Sequence, residues 1–264
     1  MIKKERADRL ILSRGLAGSR EKAQALIMAG LVTAAGRKVE KPGEFLDVEI
    51  PMAVAEGHPY VGRGGLKLVE ALDDFGVPVA GKVAADLGAS TGGFTDCLLQ
   101  RGARRVYAVD VSTDQLDWKL RGDPRVVLVE KNARALEPAD FADRPDIVTM
   151  DLSFISVLKV LPAVRRFLTE GDILCLLKPQ FEVGKGEVGK RGIVRNPAQH
   201  EAVLNRLLDA ARELGFVFRG LHGCRVRGQR GNREFFVHWT LTGHSWSAEK
   251  TRARVREEVY EKED

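Results

Sequence analysis

Asp86-Leu87-Gly88-Ala89-Ser90-Thr91-Gly92-Gly93-Phe94-Thr95-Asp96 is the stretch whose reading decides the fold. Val83, Ala84 and Ala85 run into Leu87 as a short apolar strand, and Phe94, Leu98 and Leu99 recur at helical spacing behind it. The stretch reads as strand, glycine turn and helix, the first βα turn of a nucleotide-binding sheet. Glycine lets the backbone approach a ligand closely, and the first amides of the following helix are free to donate to it. A phosphate-binding P-loop fails because Phe94 stands where its lysine is needed. A dinucleotide fingerprint from Gly88 is weakened, though not excluded, by Ser90 in place of its second glycine.

The next strand, Arg105-Val106-Tyr107-Ala108-Val109-Asp110, ends in a carboxylate 24 residues after Asp86. A carboxylate there can accept hydrogen bonds from both hydroxyls of a ribose. A nucleoside without phosphates fits the turn and the carboxylate together, and S-adenosyl-L-methionine is the expected cofactor. Asp86, Gly88, Ser90, Thr91, Gly92, Gly93, Phe94 and Asp110 are expected to hold it, with Asn132 and Asp151.

Outward from the turn, strands are expected near 83–87, 105–110, 125–129, 146–150, 172–177, 216–222 and 234–241. Helices are expected near 92–101, 114–121, 155–168 and 197–214. Such alternation implies an α/β fold with an open parallel sheet covered by helices on both faces. The last two strands follow one another without a helix, so the seventh should run antiparallel, as in a Rossmann-like methyltransferase sheet. Residues 63–243 form this domain, residues 58–62 a linker, and residues 244–264 a charged tail read as a solvated helix without a catalytic role.

With 264 residues, 44% of them hydrophobic and 30% charged, the chain can bury one or two cores. No apolar run approaches the ~20 residues of a membrane span, so a cytoplasmic protein with no membrane partner is expected. Cys97, Cys175 and Cys224 form no C-x-x-C pair, and neither a metal nor a disulfide framework is indicated. The net charge is +5, yet residues 1–41 alone carry ten Lys and Arg against four acids. This surplus suits contacts to nucleic-acid phosphates, although a solvated basic face would look the same.

Residues 1–57 read as a separate small α+β module. Ala7, Leu10 and Ile11, then Ala23, Leu26 and Ile27, form two helical stripes with Ser19 as an N-cap, and 31–34 and 46–50 alternate as strands around a turn. Arg9-Leu10, Gly15-Leu16, Ser19-Arg20, Ala23, Leu26-Ile27, Gly30, Val32 and Lys41-Pro42-Gly43 resemble the S4-type RNA-binding domain. Ala34-Ala35-Gly36 departs from it, since that family often has a Val-Asn-Gly turn. The resemblance, with the basic surplus, marks Arg6, Arg9, Arg14, Ser19, Arg20, Lys22, Lys38 and Lys41 as RNA contacts. Arg63, Lys185, Lys190, Arg191 and Arg225 are expected to continue the RNA track in the larger domain.

Asp151 and Lys178 each follow an apolar strand directly, where the sheet itself needs no charge. With Lys67 and Glu234 they resemble the Lys-Asp-Lys-Glu tetrad of FtsJ-type ribose 2′-O-methyltransferases. Adding Val61-Gly62-Arg63-Gly64-Gly65-Leu66-Lys67, Asp151-Leu152-Ser153-Phe154-Ile155-Ser156, Lys178-Pro179-Gln180-Phe181-Glu182 and Asn232-Arg233-Glu234-Phe235-Phe236, residues 6–241 resemble the TlyA (hemolysin A) family. That resemblance implies methylation of ribosomal RNA at cytidine 2′-hydroxyls, with ribosomal RNA or ribosomal subunits as partners.

The chemistry agrees with it. A ribose hydroxyl is a poor nucleophile, so the site must take its proton and hold its oxygen. A lysine accepts a proton only as the neutral amine, a form that burial and a second cation favour. Lys178 is assigned as the base and Lys67 as a neighbour that positions substrate, with Asp151 and Glu234 orienting both. Methylation at a base nitrogen commonly uses a proline turn that Asp151-Leu152-Ser153-Phe154 lacks, and methylation at carbon needs a nucleophilic cysteine. The rival readings are an RNA-binding assembly factor without activity and a membrane-active hemolysin.

Overall fold

Two units divide the chain, residues 1–59 and 60–264, in a computed structural model that describes residues 3–28, 30–54, 59–184, 189, 192–228 and 231–261.

The first unit contains β1 (Lys4–Arg6), α1 (Ala7–Ser13), α2 (Arg20–Met28), β2 (Val32–Ala34), β3 (Arg37–Lys38), β4 (Phe45–Asp47) and β5 (Met52–Val54). Ala7, Leu10 and Ile11 of α1 and Ala23 and Ile27 of α2 close on Val32, Val39 and Leu46, which accounts for the two apolar stripes. Ser19 Oγ accepts from the Lys22 amide at 3.1 Å and caps α2. The two expected strands, 31–34 and 46–50, are β2 and β4, and they belong to different sheets. Ala35 and Gly36, at φ 47° and 78°, make a two-residue hairpin turn that brings β3 back onto β2. The other edge of β2 takes β5, while β4 pairs with β1 and the chain turns at 48–50.

The second unit contains α3 (Gly64–Phe75), β6 (Val83–Leu87), α4 (Gly93–Gln100), β7 (Arg105–Asp110), α5 (Trp118–Arg121), β8 (Val126–Glu130) and β9 (Ile147–Met150). It continues with α6 (Leu161–Phe167), β10 (Asp172–Leu177), α7 (Pro179–Glu182), α8 (Pro197–Glu213), β11 (Val217–Gly223), β12 (Phe235–Thr240) and α9 (Ala248–Arg256). The sheet order is β11-β12-β10-β9-β6-β7-β8, and β12 runs antiparallel to both neighbours. Each strand of this sheet lies within one residue of its expected bounds. β6 and β10 are buried on both faces, as the apolar run of β10 and the nearly apolar β6, broken only by Asp86, imply. The expected helices at 114–121 and 155–168 are shorter, and α6 begins at Leu161, with Pro162 in its first turn, behind a separate 3₁₀ turn at Val157–Lys159.

The tail is not a solvated helix. Val255 and Val259 are fully buried in the core, and Trp246 meets Phe218 edge-on at 5.3 Å. Buried Glu258 accepts from the Gly223 amide at 2.7 Å and pairs with Arg254 at 2.7 Å. Val255 and Val259, four residues apart, share one helical face, and that face joins the core beside β11.

Candidate active site

The chain order in the sheet reverses between β6 and β9, and in open α/β sheets ligands sit at such a switch, beyond the carboxyl ends of the strands. The Asp151 amide donates to Leu87 O at 2.9 Å, and the Gly88 and Ala89 amides donate to Val109 O at 2.8 and 3.1 Å. Gly88 adopts φ +86°, and a Cβ there would sit 2.6 Å from the Asp151 carbonyl oxygen. Only glycine lets the turn press this closely against the end of β9.

A cavity of about 470 Å³ opens at this edge, a size that suits a nucleoside cofactor, with Gly88, Ser90, Asp110, Asn132 and Asp151 in its wall. Asp110 Oδ2 accepts from the Ser90 amide at 2.9 Å, which holds Ser90 at φ +49°. Asn132 Oδ1 accepts from the Arg134 amide at 3.1 Å. The carboxylate and the open turn fit the ribose and backbone contacts of S-adenosyl-L-methionine.

Asp86, Thr91, Gly92, Gly93 and Phe94 stand elsewhere. Asp86 is fully buried and accepts from Thr95 Oγ1 at 2.7 Å and Thr149 Oγ1 at 3.0 Å, and burial pushes its carboxyl up to about 7. It ties the turn to α4 and β9 from below, behind the cavity wall. Phe94 packs on Phe236 at 5.7 Å, and a Cβ on Gly93 would meet the Gly65 amide nitrogen at 3.1 Å. This half of the turn is built to seat the start of α3.

The tetrad forms two acid–base pairs. Lys67 Nζ lies 2.6 Å from Glu234 Oε2, with the two side chains 11% and 3% exposed. Lys178 Nζ lies 2.6 Å from Asp151 Oδ1 and donates to Ser153 Oγ at 2.9 Å. The β10–β12 register pairs Leu177 with Phe235, which brings Lys178 and Glu234 to neighbouring strand ends. Gln180 Nε2 donates to Glu234 Oε1 at 3.4 Å and links α7 to the buried pair. The Cys224 amide fixes the Glu234 carbonyl at 3.0 Å. Burial pushes all three thiols up, Cys97 to about 12, and none of them lines the cavity.

Residue-by-residue reading missed Ser153, Gln180 and Phe154. Phe154 is 89% exposed on the cavity wall at φ +65°, a conformation rare for an aromatic residue, with Phe181 at 5.0 Å. An aromatic left in water gives no periodic signal, so only the fold reveals it.

In the first unit, Arg6 and Arg20 bind the fully buried Asp8 at 3.0 and 2.9 Å, and Gln24 joins them at 2.9 Å. Arg6 first among these holds the Asp8 carboxyl well below the usual carboxylate range. The two guanidiniums staple α1 to α2 while keeping 35% and 41% of their side chains exposed. Arg14 donates to the Val48 and Ile50 carbonyls. Arg9, Lys22, Lys38, Lys41, Arg63 and Arg225 are exposed. Lys185, Lys190 and Arg191 lie outside the described residues. Among the described residues no helix is long and apolar enough to cross a membrane, and no cluster of His, Cys, Asp and Glu could hold a metal ion.

The FtsJ-like methyltransferase family matches residues 60–241, and the S4 domain matches residues 5–49. A candidate rRNA methyltransferase of Bacillus subtilis (strain 168), YqxC, is 49% identical over 241 residues, covering 89% of this chain and 85% of that protein. The 16S/23S rRNA (cytidine-2′-O)-methyltransferase TlyA of Mycobacterium tuberculosis is 44% identical over 246 residues, 92% of this chain and 91% of that protein. The solved structure of a candidate hemolysin from Streptococcus thermophilus has a TM-score of 0.74 and 41% identity, covering 100% of this chain and 99% of that one. With the cofactor cavity, the two acid–base pairs and the added RNA-binding module, these likenesses converge: the chain belongs to the TlyA (hemolysin A) family of FtsJ-like, S-adenosyl-L-methionine-dependent methyltransferases.

Proposed function

We propose that this enzyme methylates a cytidine ribose 2′-hydroxyl of ribosomal RNA in the cytoplasm, with Lys178 as the base. The observation that carries the proposal is the position of the Lys178 amine, 2.6 Å from Asp151 Oδ1 and 2.9 Å from Ser153 Oγ, both residues of the cofactor cavity wall. The named activity of the Mycobacterium tuberculosis relative supports the substrate, and the S4 match supports an RNA anchor.

S-adenosyl-L-methionine, held by Ser90, Asp110 and Asn132, supplies an electrophilic methyl group. Lys178 takes the proton from the ribose 2′-oxygen, and Asp151 and Ser153 aim its amine. Glu234 holds Lys67 in place, so that Lys67 steers the substrate backbone. Phe154 presents its ring to the cavity mouth as a surface on which a displaced base can stack. Exposed Arg9, Lys22, Lys38 and Lys41 give the first unit phosphate contacts that position RNA without reading its sequence.

The test is incubation with separate ribosomal subunits and labelled cofactor, followed by alkaline hydrolysis of the RNA. A 2′-O-methyl group blocks attack on the adjoining phosphate, so the ladder should gain a cofactor-dependent gap. Label incorporated at a position that still cleaves would exclude the ribose.

A further inference from the structure

Arginines of the second unit are mostly paired, as Arg101 is with Asp73, Arg105 with Asp143, Arg125 with Asp123 and Arg256 with Glu201. Arg195 and Arg227 are exceptions. Both are exposed, and neither makes an ion pair or side-chain hydrogen bond among the described residues. Both line one cavity of about 310 Å³, together with Arg233 and His200, which are 5% and 4% exposed. No carboxylate lines this cavity among the described residues.

The wall is preformed. Arg233 donates to the carbonyls of Val259 and Glu258, and its guanidinium lies over the Phe235 ring at 5.3 Å. Asn232 accepts from the Val194 amide at 3.1 Å and donates to Gly192 O at 3.0 Å, fastening the segment before Arg195 to the one before β12. His200 Nε2 lies 3.1 Å from Val194 O. Two exposed guanidiniums, Arg195 and Arg227, beside the buried and already engaged Arg233, with no carboxylate lining the cavity among the described residues, make a concave positive site, and arginine forks match phosphate oxygens in geometry.

Its location says which phosphate. Arg233 is adjacent to Glu234, and the start of β12 lies at the same sheet edge as the end of β10, where Lys178 stands. We propose that this cavity is a subsite for one backbone phosphate of the substrate RNA, on the strand that flanks the target ribose. The proposal rests on the reading of the enzyme as an RNA methyltransferase. Free phosphate is the other source of the same chemistry, and the two are separable.

The experiment measures binding of full-length protein to ribosomal RNA, without cofactor, across a series of KCl concentrations. Each neutralised phosphate contributes about 0.7 to 0.9 to the slope of log K against log salt. The Arg195→Gln/Arg227→Gln double variant should show a slope smaller by about 1 and several-fold weaker binding. Arg104→Gln/Arg144→Gln, two exposed changes at the amino edge of the sheet, controls for the loss of two charges. A double variant whose slope equals that of this control overturns the subsite. Inorganic phosphate is titrated in parallel, and tight binding to wild type but not to the double variant, with the RNA slope unchanged, assigns the cavity to free phosphate and also overturns it. A reduced slope in a protein that transfers no methyl group would leave the subsite standing and reject the enzymatic reading. Normal methylation with an unchanged slope would do the reverse, and wild-type protein that fails to bind RNA would reject both.

Discussion

Asp151 Oδ1 and Lys178 Nζ lie 2.6 Å apart although they end two different strands, β9 and β10. Parallel register sets this, because Met150 pairs with Cys175 and each chain then carries its charge past the carboxyl edge. Asp151 also walls the cofactor cavity, so one carboxylate connects cofactor site and amine.

Lys178→Ala should remove the alkaline-ladder gap and lower kcat by roughly 10²- to 10⁴-fold, the range for loss of a positioned base. Calorimetric affinity for cofactor should change little, because the cavity wall does not include this side chain. A fully active Lys178→Ala protein would reject the assignment of the base.

Asp110→Ala should weaken cofactor binding by roughly 1.5 to 3 kcal/mol, the value of hydrogen bonds to a charged acceptor. The substitution also frees the Ser90 amide, which Asp110 holds at 2.9 Å. Calorimetry that finds the wild-type Kd would show that this carboxylate does not face the cofactor.

Asp86 makes stability depend on pH in a definite direction. Its carboxyl is raised from 3.8 to about 7, first by burial, so the folded state binds the proton more tightly than the unfolded state. Stability contributed by the protonated form is full below pH 3.8 and is lost as pH rises to about 7. Relative to wild type, Asp86→Asn should therefore gain stability as pH rises across that window, seen as a Tm difference that shifts in the variant's favour between pH 4 and 7. Parallel curves from pH 4 to 8 would contradict the shift.

Val259→Asp should lower Tm sharply, since it buries a charge where the side chain is 0% exposed. Tyr260→Asp, at a side chain 49% exposed, should have a much smaller effect. Equal Tm values for the two variants would mean that the C-terminal helix is undocked in solution.

Phe154→Ala should raise the KM for RNA several-fold and leave Tm nearly unchanged. The ring is exposed, and alanine keeps the Cβ and therefore the backbone strain of about 1 kcal/mol or more at φ +65°. If RNA kinetics are unaltered, the ring does not contact the substrate.

Much of the fold was legible because its signals are local. Short apolar runs such as Ile173 to Leu177, alternating with helical stretches, read as strands of a covered sheet, and a glycine turn between strand and helix locates the ligand edge. Glu234 and Lys67 were legible as motif members, but their 2.6 Å contact spans 167 residues of chain. The role of Asp86 was not legible. Whether a carboxylate at a strand end meets a ligand or two threonine hydroxyls depends on what covers it, and Thr149 arrives from β9.

Residue order by itself determined the strands, the turn, the charges that end the strands and the basic surplus of the first unit, since each follows from the period or composition of a short segment. Tertiary structure decided which of those charges remain available. Arg6 and Arg20 close on Asp8, the tail valines find the edge of β11, and Arg195 and Arg227 are left facing one cavity. The physical reason is that burial and ion pairing are set by distances between segments remote in sequence, and a single charged residue carries no local trace of the partner that will neutralise it.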